Sequence, residues 1–195
     1  LNFGTVTIAG DYEINGGAAE FNYSNLHSHS SRVRDPYADL KVPTTTPCTS
    51  AAVKKGTKIT GSGTATLNPG VYCGDVTVTG NNTLVLNPGI YVIDGGNFNI
   101  QGGGTLTGNG VTIIMTNTGA GVWGKLSISG NCVVRLSAPT TGYYAGVTVF
   151  VDRRAPDNGT THSITGTADI LINGVIYIPT QNLTFGGTAT SLANN

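Results

Sequence analysis

At 195 residues the chain has the length of one domain with a single long core. Ten basic and ten acidic residues make it neutral and only 10% charged, which excludes a field for steering nucleic acid or anionic lipid. Its 29 glycines, with much Thr, Asn, Val and Ile and a single Met, are turn and strand material, and no apolar run approaches the ~18 residues a membrane helix needs.

In chain order, a glycine follows each "TVTG"-like stretch and serves as an anchor: Gly10, Gly61, Gly80, Gly102, Gly130, Gly166 and Gly187. Two residues before each anchor stand Ile8, Ile59, Val78, Ile100, Ile128, Ile164 and Phe185. Four before stand Val6, Thr57, Val76, Phe98, Leu126, His162 and Leu183, with mostly polar residues between. This alternation predicts a strand with one buried face. A second strand follows each anchor, through Ile14, Ala65, Leu84, Leu106, Val134 and Ile170. A corner comes next at Asn68, Asn87, Asn109, Ser137 and Asn173, a residue type that tolerates tight turns. A third strand runs through Val71, Ile90, Val111, Val147 and Val175, and two residues on through Cys73, Val92, Ile113, Val149 and Tyr177. The phrase Leu-Asn-Pro-Gly-(Val/Ile)-Tyr, at Leu67 and again at Leu86, turns the same corner in adjacent repeats of about twenty residues.

The expected fold is therefore all-β: a single parallel β-helix, or solenoid, over 1–195. It has three short strands per coil and about seven coils, some partial. Insertions fall at 18–56, 116–125, 138–145 and 152–161. The three that precede a first strand cluster on one edge, where a rigid scaffold displays loops. The chain starts without Met and ends at "TATSLANN" partway through a repeat, so it reads as a segment of a longer protein that continues past Asn195.

"DPYADLKVPTTTPC", "LNPGVYCGDVTVTGNNTLVLNPGIYVIDGG", "VVRLSAPTTGYYAGVTVFVDRRAP" and "GVIYIPTQNLTFGG" together resemble the β-helical C-terminal region of TadG-like Flp/Tad pilus-assembly proteins. The resemblance spans roughly 1–190. It implies a right-handed β-helix in a bacterial envelope protein, in the periplasm or at the cell surface. It also implies a role in pilus biogenesis or surface attachment, and it brings no catalytic residues. The partners it implies are pilin, other pilus-assembly components, or an extracellular surface or glycan.

Of three cysteines, Cys73 falls in an expected inward column, and Cys48 is placed beneath it as a makeshift third strand. Stacked strands bring Cα atoms within disulfide range, and an exported chain meets oxidising conditions, so Cys48–Cys73 is the expected bridge, worth about 3 kcal/mol. Cys132 reads as a small buried side chain, with a reactive thiol as the alternative.

Chemistry is sparse. Asp75 and Asp94 are expected as neighbours in adjacent coils, but Met115 and Val151 then end the row, too few carboxylates for a polysaccharide lyase or hydrolase. Asp152, Arg153, Arg154 and Asp157 read as a solvated loop. His27 and His29 lack partners for a metal, and His162 reads as a satisfied boundary histidine. Neither metal nor cofactor is expected. The candidate binding surface is Trp123, Tyr143 and Tyr144 with Arg153 and Arg154, in the inserted loops. The outward pairs of the first strand contain one Thr-x-Thr, Thr77 and Thr79, too few for an ice-binding array. The reading is a non-enzymatic structural or adhesive domain. Its rivals are a carbohydrate- or ice-binding solenoid, and an open solenoid end adds the hazard of end-to-end self-association.

Overall fold

The computed structural model describes residues 2–7, 22–27, 34–44, 48, 54–119, 122–165 and 169–186. The chain divides into two compact units, Leu1–Leu40 and Lys41–Asn195. In the first, β1 (Asn2–Thr7) pairs in parallel with β2 (Asn22–His27). The stretch 18–56, expected as an insertion, thus contains a strand. Val6, expected at the start of the solenoid, instead pairs with Leu26. The anchors Gly10, Gly166 and Gly187, and the chain end at 187–195, lie outside the described residues.

The second unit is all-β. Its strands are β3 (Lys54–Ile59), β4 (Ser62–Leu67), β5 (Gly70–Val78), β6 (Asn81–Leu86), β7 (Gly89–Asp94), β8 (Phe98–Gly102) and β9 (Thr105–Gly108), then β10 (Val111–Thr116), β11 (Leu126–Gly130) and β12 (Val133–Ser137), and finally β13 (Val147–Val151), β14 (Thr161–Thr165), β15 (Asp169–Asn173), β16 (Val175–Tyr177) and β17 (Asn182–Gly186). Every pairing between described strands is parallel. One sheet has ten strands and one has five, and β5 shows how the larger is built. Its first half pairs with β7 and its second half with β8, so it runs through a corner at Gly74 and joins two stacks. Three stacks result: a first of β3, the end of β5, β8, β11, β14 and β17; a second of β4, β6, β9, β12 and β15; and a third of the start of β5, β7, β10, β13 and β16. The arrangement is solenoid-like: parallel strands recur in sequence and stack on their own counterparts.

The first two stacks follow the expected columns residue for residue. Thr57, Val76, Phe98 and Leu126 are in register, as are Ile59, Val78, Ile100, Ile128 and Ile164. Ala65, Leu84, Leu106, Val134 and Ile170 follow in the second stack. Most of these side chains are buried in one core, each contributing about 1.5–3 kcal/mol. The corners stack too, with the Asn87 amide donating to Asn68 Oδ1 at 2.7 Å.

The third stack departs from expectation. Tyr91, not Val92, lies opposite Ile113; Ile93 lies opposite Tyr72; and Tyr177 lies opposite Phe150, not Val149. The tyrosines of the repeated phrase therefore point inward, and Cys73 and Val92 point outward. The cause is the phenol. Tyr72 donates to the Asn68 carbonyl (2.6 Å) and Tyr91 to the carbonyls of Asn87 (2.7 Å) and Leu67 (2.8 Å), so each ring fills the core while its hydroxyl ties down the corner before it. Where the chain passes from third to first stack, glycine is obligatory: a Cβ on Gly124 would lie 1.7 Å from the Gly96 carbonyl oxygen, and one on Gly96 2.1 Å from the Gly74 carbonyl carbon.

Candidate functional site

The third stack positions the candidate site because its outer face is covered. Outward along β7, β10 and β13 stand Val92, Ile114 and Phe150, in register and 3%, 0% and 1% exposed. Thr112 and Thr148 on the same face are also buried. Two stretches of chain are fastened to this side. One is the loop between β12 and β13. The Tyr144 ring meets Phe150 edge-on at 6.1 Å, and Tyr143 meets Tyr144 at 5.0 Å. The other begins at Lys41, whose N–H donates to the Tyr143 hydroxyl (3.1 Å) and whose carbonyl accepts from the Tyr144 hydroxyl. Burial, with Tyr143 beside it, pushes the Tyr144 phenol up to about 12.

Beyond Phe150 the aromatic row continues. Tyr177 stacks on Phe150 at 5.2 Å, and the Arg153 guanidinium lies 5.0 Å from the centre of the Tyr177 ring. The structure thus brings together Tyr143, Tyr144 and Arg153, and adds Phe150 and Tyr177, which the sequence reading missed. Correct third-strand register is the signal that finds them. Trp123 is not part of this row; it is half-buried and packs on the core, while its neighbour Val122 is 67% exposed. Arg154 turns to Asp152, with Nη2 2.7 Å from Oδ2. Of the aromatic pair, Tyr143 is the presented member at 60% exposed, and Tyr144 is buried.

Alongside runs a polar row. Cys73 pairs with Asp94 and Asp94 with Thr116, and the Asp152 N–H bonds to the Met115 carbonyl one coil on. Asp75 is not Asp94's neighbour, as expected from sequence; it accepts the Asn97 N–H at 2.7 Å. Asp94 accepts the Thr118 N–H at 2.8 Å as well as the Thr118 hydroxyl. Asp152 accepts from the Thr116 hydroxyl (2.6 Å) and from Arg154. Burial pushes the Asp152 carboxyl up, but the Arg154 and Thr116 hydrogen bonds outweigh it and hold the group below its ordinary value. Both carboxylates thus fasten loops.

The Cys48–Cys73 disulfide forms, with Cα atoms 5.5 Å apart. It sits on the outer side: the strand beneath Cys73 is β3, where Lys55 pairs with it, and Cys48 packs with its sulfur 3.2 Å from Asp94 Oδ2. Cys132 is buried, and its thiol donates to the Ser129 carbonyl at 2.9 Å. Asn82, at the same place after its own anchor, donates to the Thr79 carbonyl, so Cys132 fills a corner-tying position; burial pushes its thiol up. His162 is satisfied. Nδ1 accepts the Leu126 N–H at 3.0 Å, which leaves the proton on Nε2 to donate to Gln181 at 2.8 Å. Burial lowers its pKa, the Gln181 bond opposes, and the Lys125 charge adds to the lowering. Of the His27 side chain nothing is described, and His29 lies outside the described residues. Among the described residues no group of three or more His, Cys, Asp or Glu is placed for a metal, and no helix is long and apolar enough to cross a membrane.

The outer face of the second stack is open. A groove of about 550 Å³ crosses its strands between the outward row Val85, Thr107, Arg135 and Leu171 and the corner row Asn87, Asn109 and Asn173. Arg135 is neutralised by Asp169. This face carries threonine at Thr64, Thr66, Thr83, Thr105 and Thr107, but Val133 and Arg135 end the array. Compared with protein-family models, curated proteins and solved structures, the chain matches none.

Proposed function

We propose that the second unit closes into a parallel β-helix, and that the chain is the exposed β-helical region of a TadG-like, Tad/Flp pilus-associated protein of the bacterial envelope. Its role in this reading is structural or adhesive, not catalytic, in the periplasm or at the cell surface. The observation that carries it is the division of labour between scaffold and edge. Stacked parallel strands commit the backbone, buried carboxylates fasten loops, and the loops after β10 and before β13 hold Val122 and Tyr143 out to solvent. Such a surface suits contact with pilin, another assembly component or an external surface. The disulfide is compatible with an oxidising compartment. The test is to shear surface filaments from cells, pellet them and ask by mass spectrometry whether this protein travels with pilin, with a pilin deletion as control. Pilin-dependent co-sedimentation supports the reading; sedimentation that ignores pilin, or retention in the envelope, removes filament display.

The groove on the second stack favours a second reading, a carbohydrate-binding module. It crosses strands whose N–H and C=O groups are already paired, so an extended peptide finds no edge to join there. A floor whose charged residue, Arg135, is paired with Asp169, together with an amide rim, suits a neutral glycan strand. Titration calorimetry with a neutral oligosaccharide, using Leu171→Asp as control, tests it; no heat with the unaltered protein rejects it.

A further inference from the structure

We propose that Cys48 and Cys73 form an oxidation-operated latch that clamps the segment beginning at Lys41 across the outer face of the third stack. Both anchors lie on that outer side. Cys73 points away from the core, as does Phe150, on which Tyr144 rests while its hydroxyl and that of Tyr143 hold Lys41. Between the anchors the sheet order is β13, β10, β7, β5. Three strand spacings make that span about 14 Å. The seven-residue link from Lys41 to Cys48 reaches at most about 25 Å. The link is thus long enough to join the two anchors, which are fixed on the same side of the sheet. On the strands between them the outward residues are Ile114 and Val92, apolar and buried. An outward apolar row is an aggregation hazard if left open, and nothing in the third stack's own pairing keeps it closed.

The two anchors differ in kind. At Lys41 the hold is two hydrogen bonds; at Cys48 it is covalent, against Asp94, whose carboxylate also receives Thr118. The strands of all three stacks pair through their backbones, and no pairing needs a cysteine sulfur, so the latch is an addition to the sheets and not a condition for them. Closure is thiol–disulfide exchange. One cysteine thiolate attacks the disulfide of an exchange partner, and the second cysteine thiolate displaces that partner from the mixed disulfide. The pair loses two protons and two electrons, and the partner leaves as two thiols. The latch rests on geometry alone; its timing, after export, rests on the location proposed above.

The test uses the full chain, purified oxidised and compared with the same protein reduced by dithiothreitol, followed by hydrogen-exchange mass spectrometry. On reduction, exchange in a peptide covering 41–44 accelerates at least about tenfold, and binding of an apolar dye rises, while β6, β9 and β12 keep their protection. In the oxidised protein, Tyr144→Phe loosens the same peptide by a smaller factor. Unchanged exchange at 41–44 after verified reduction overturns the latch. So does uniform loss of protection in all strands, which would make the bridge a global staple. Neither readout depends on pilin, so failure here is separable from failure of the display reading.

Discussion

The second and third stacks are built from the same parallel pairing, yet they treat their outer faces oppositely. On the second, Thr83, Thr107 and Arg135 meet solvent, and only the inward row Leu84, Leu106 and Val134 is sealed. On the third, β10 and β13 are buried at every position, inward Ile113 and Val149 and outward Ile114 and Phe150 alike. Strands covered on both sides read as continuous apolar runs, whereas one-sided strands alternate. "VTIIM" and "VTVFV" are such runs, each broken by one threonine, and "TLT" at 105–107 alternates. The lesson is that in a stacked parallel fold the sealed wall need not be the core alone: here one wall carries a second, thinner apolar layer, and the presented aromatics sit at its margin.

The comparison can be broken most severely at the glycine column. Gly124→Val forces side-chain atoms into the Gly96 backbone, where no rotamer helps, and should abolish cooperative unfolding by circular dichroism. Next is Ile114→Ala. An outward solenoid residue is ordinarily cheap to truncate, but this one is fully buried, so denaturant unfolding should show a loss of about 2–5 kcal/mol. Cys48→Ser should cost less by the same assay, short of the about 3 kcal/mol that closing a 25-residue separation gives a bridge constraining the whole fold, because this bridge acts on the segment beginning at Lys41.

His162 gives a pH effect. The unfolded histidine takes up its proton near pH 6.5, while the buried ring resists it, so the unfolded state binds more protons as pH falls. Stability present above about pH 6.5 should then be lost progressively as pH drops toward the lowered folded value. A thermal-melt series should show this slope, flattened in His162→Gln. Smallest is Thr107→Ala on the open face, expected within about 0.5 kcal/mol of the unaltered protein. A loss as large as that of Ile114→Ala would erase the distinction between the two walls.

Much of this was legible in the sequence where alternation was clean. The columns through Val78, Ile100 and Ile128, and through Leu84, Leu106 and Val134, had polar neighbours that fixed their phase, and the structure keeps them. The third stack was not legible in the same way. "GIYVID" is apolar in both parities, so periodicity could not say whether Tyr91 or Val92 faces the core, and a one-residue slip exchanges every side chain between faces. That slip carried Cys73 inward and hid the row through Phe150 and Tyr177. The bridge survived it because pairing with Cys48 requires only proximity. Of the candidate surface, Tyr143, Tyr144 and Arg153 converge, whereas Trp123 packs down and Arg154 is taken by Asp152, contacts that depend on loop conformation and leave no periodic trace.

The most direct test of the account is thiol accessibility at matched outward positions. Ile114→Cys and Thr107→Cys would each be placed in the oxidised protein and exposed to a maleimide under native conditions, with buried Cys132 as the internal reference. The account predicts rapid labelling at position 107 and protection at 114. Equally rapid labelling at both would contradict it, because the third stack would then be an ordinary one-sided wall with nothing lying across it.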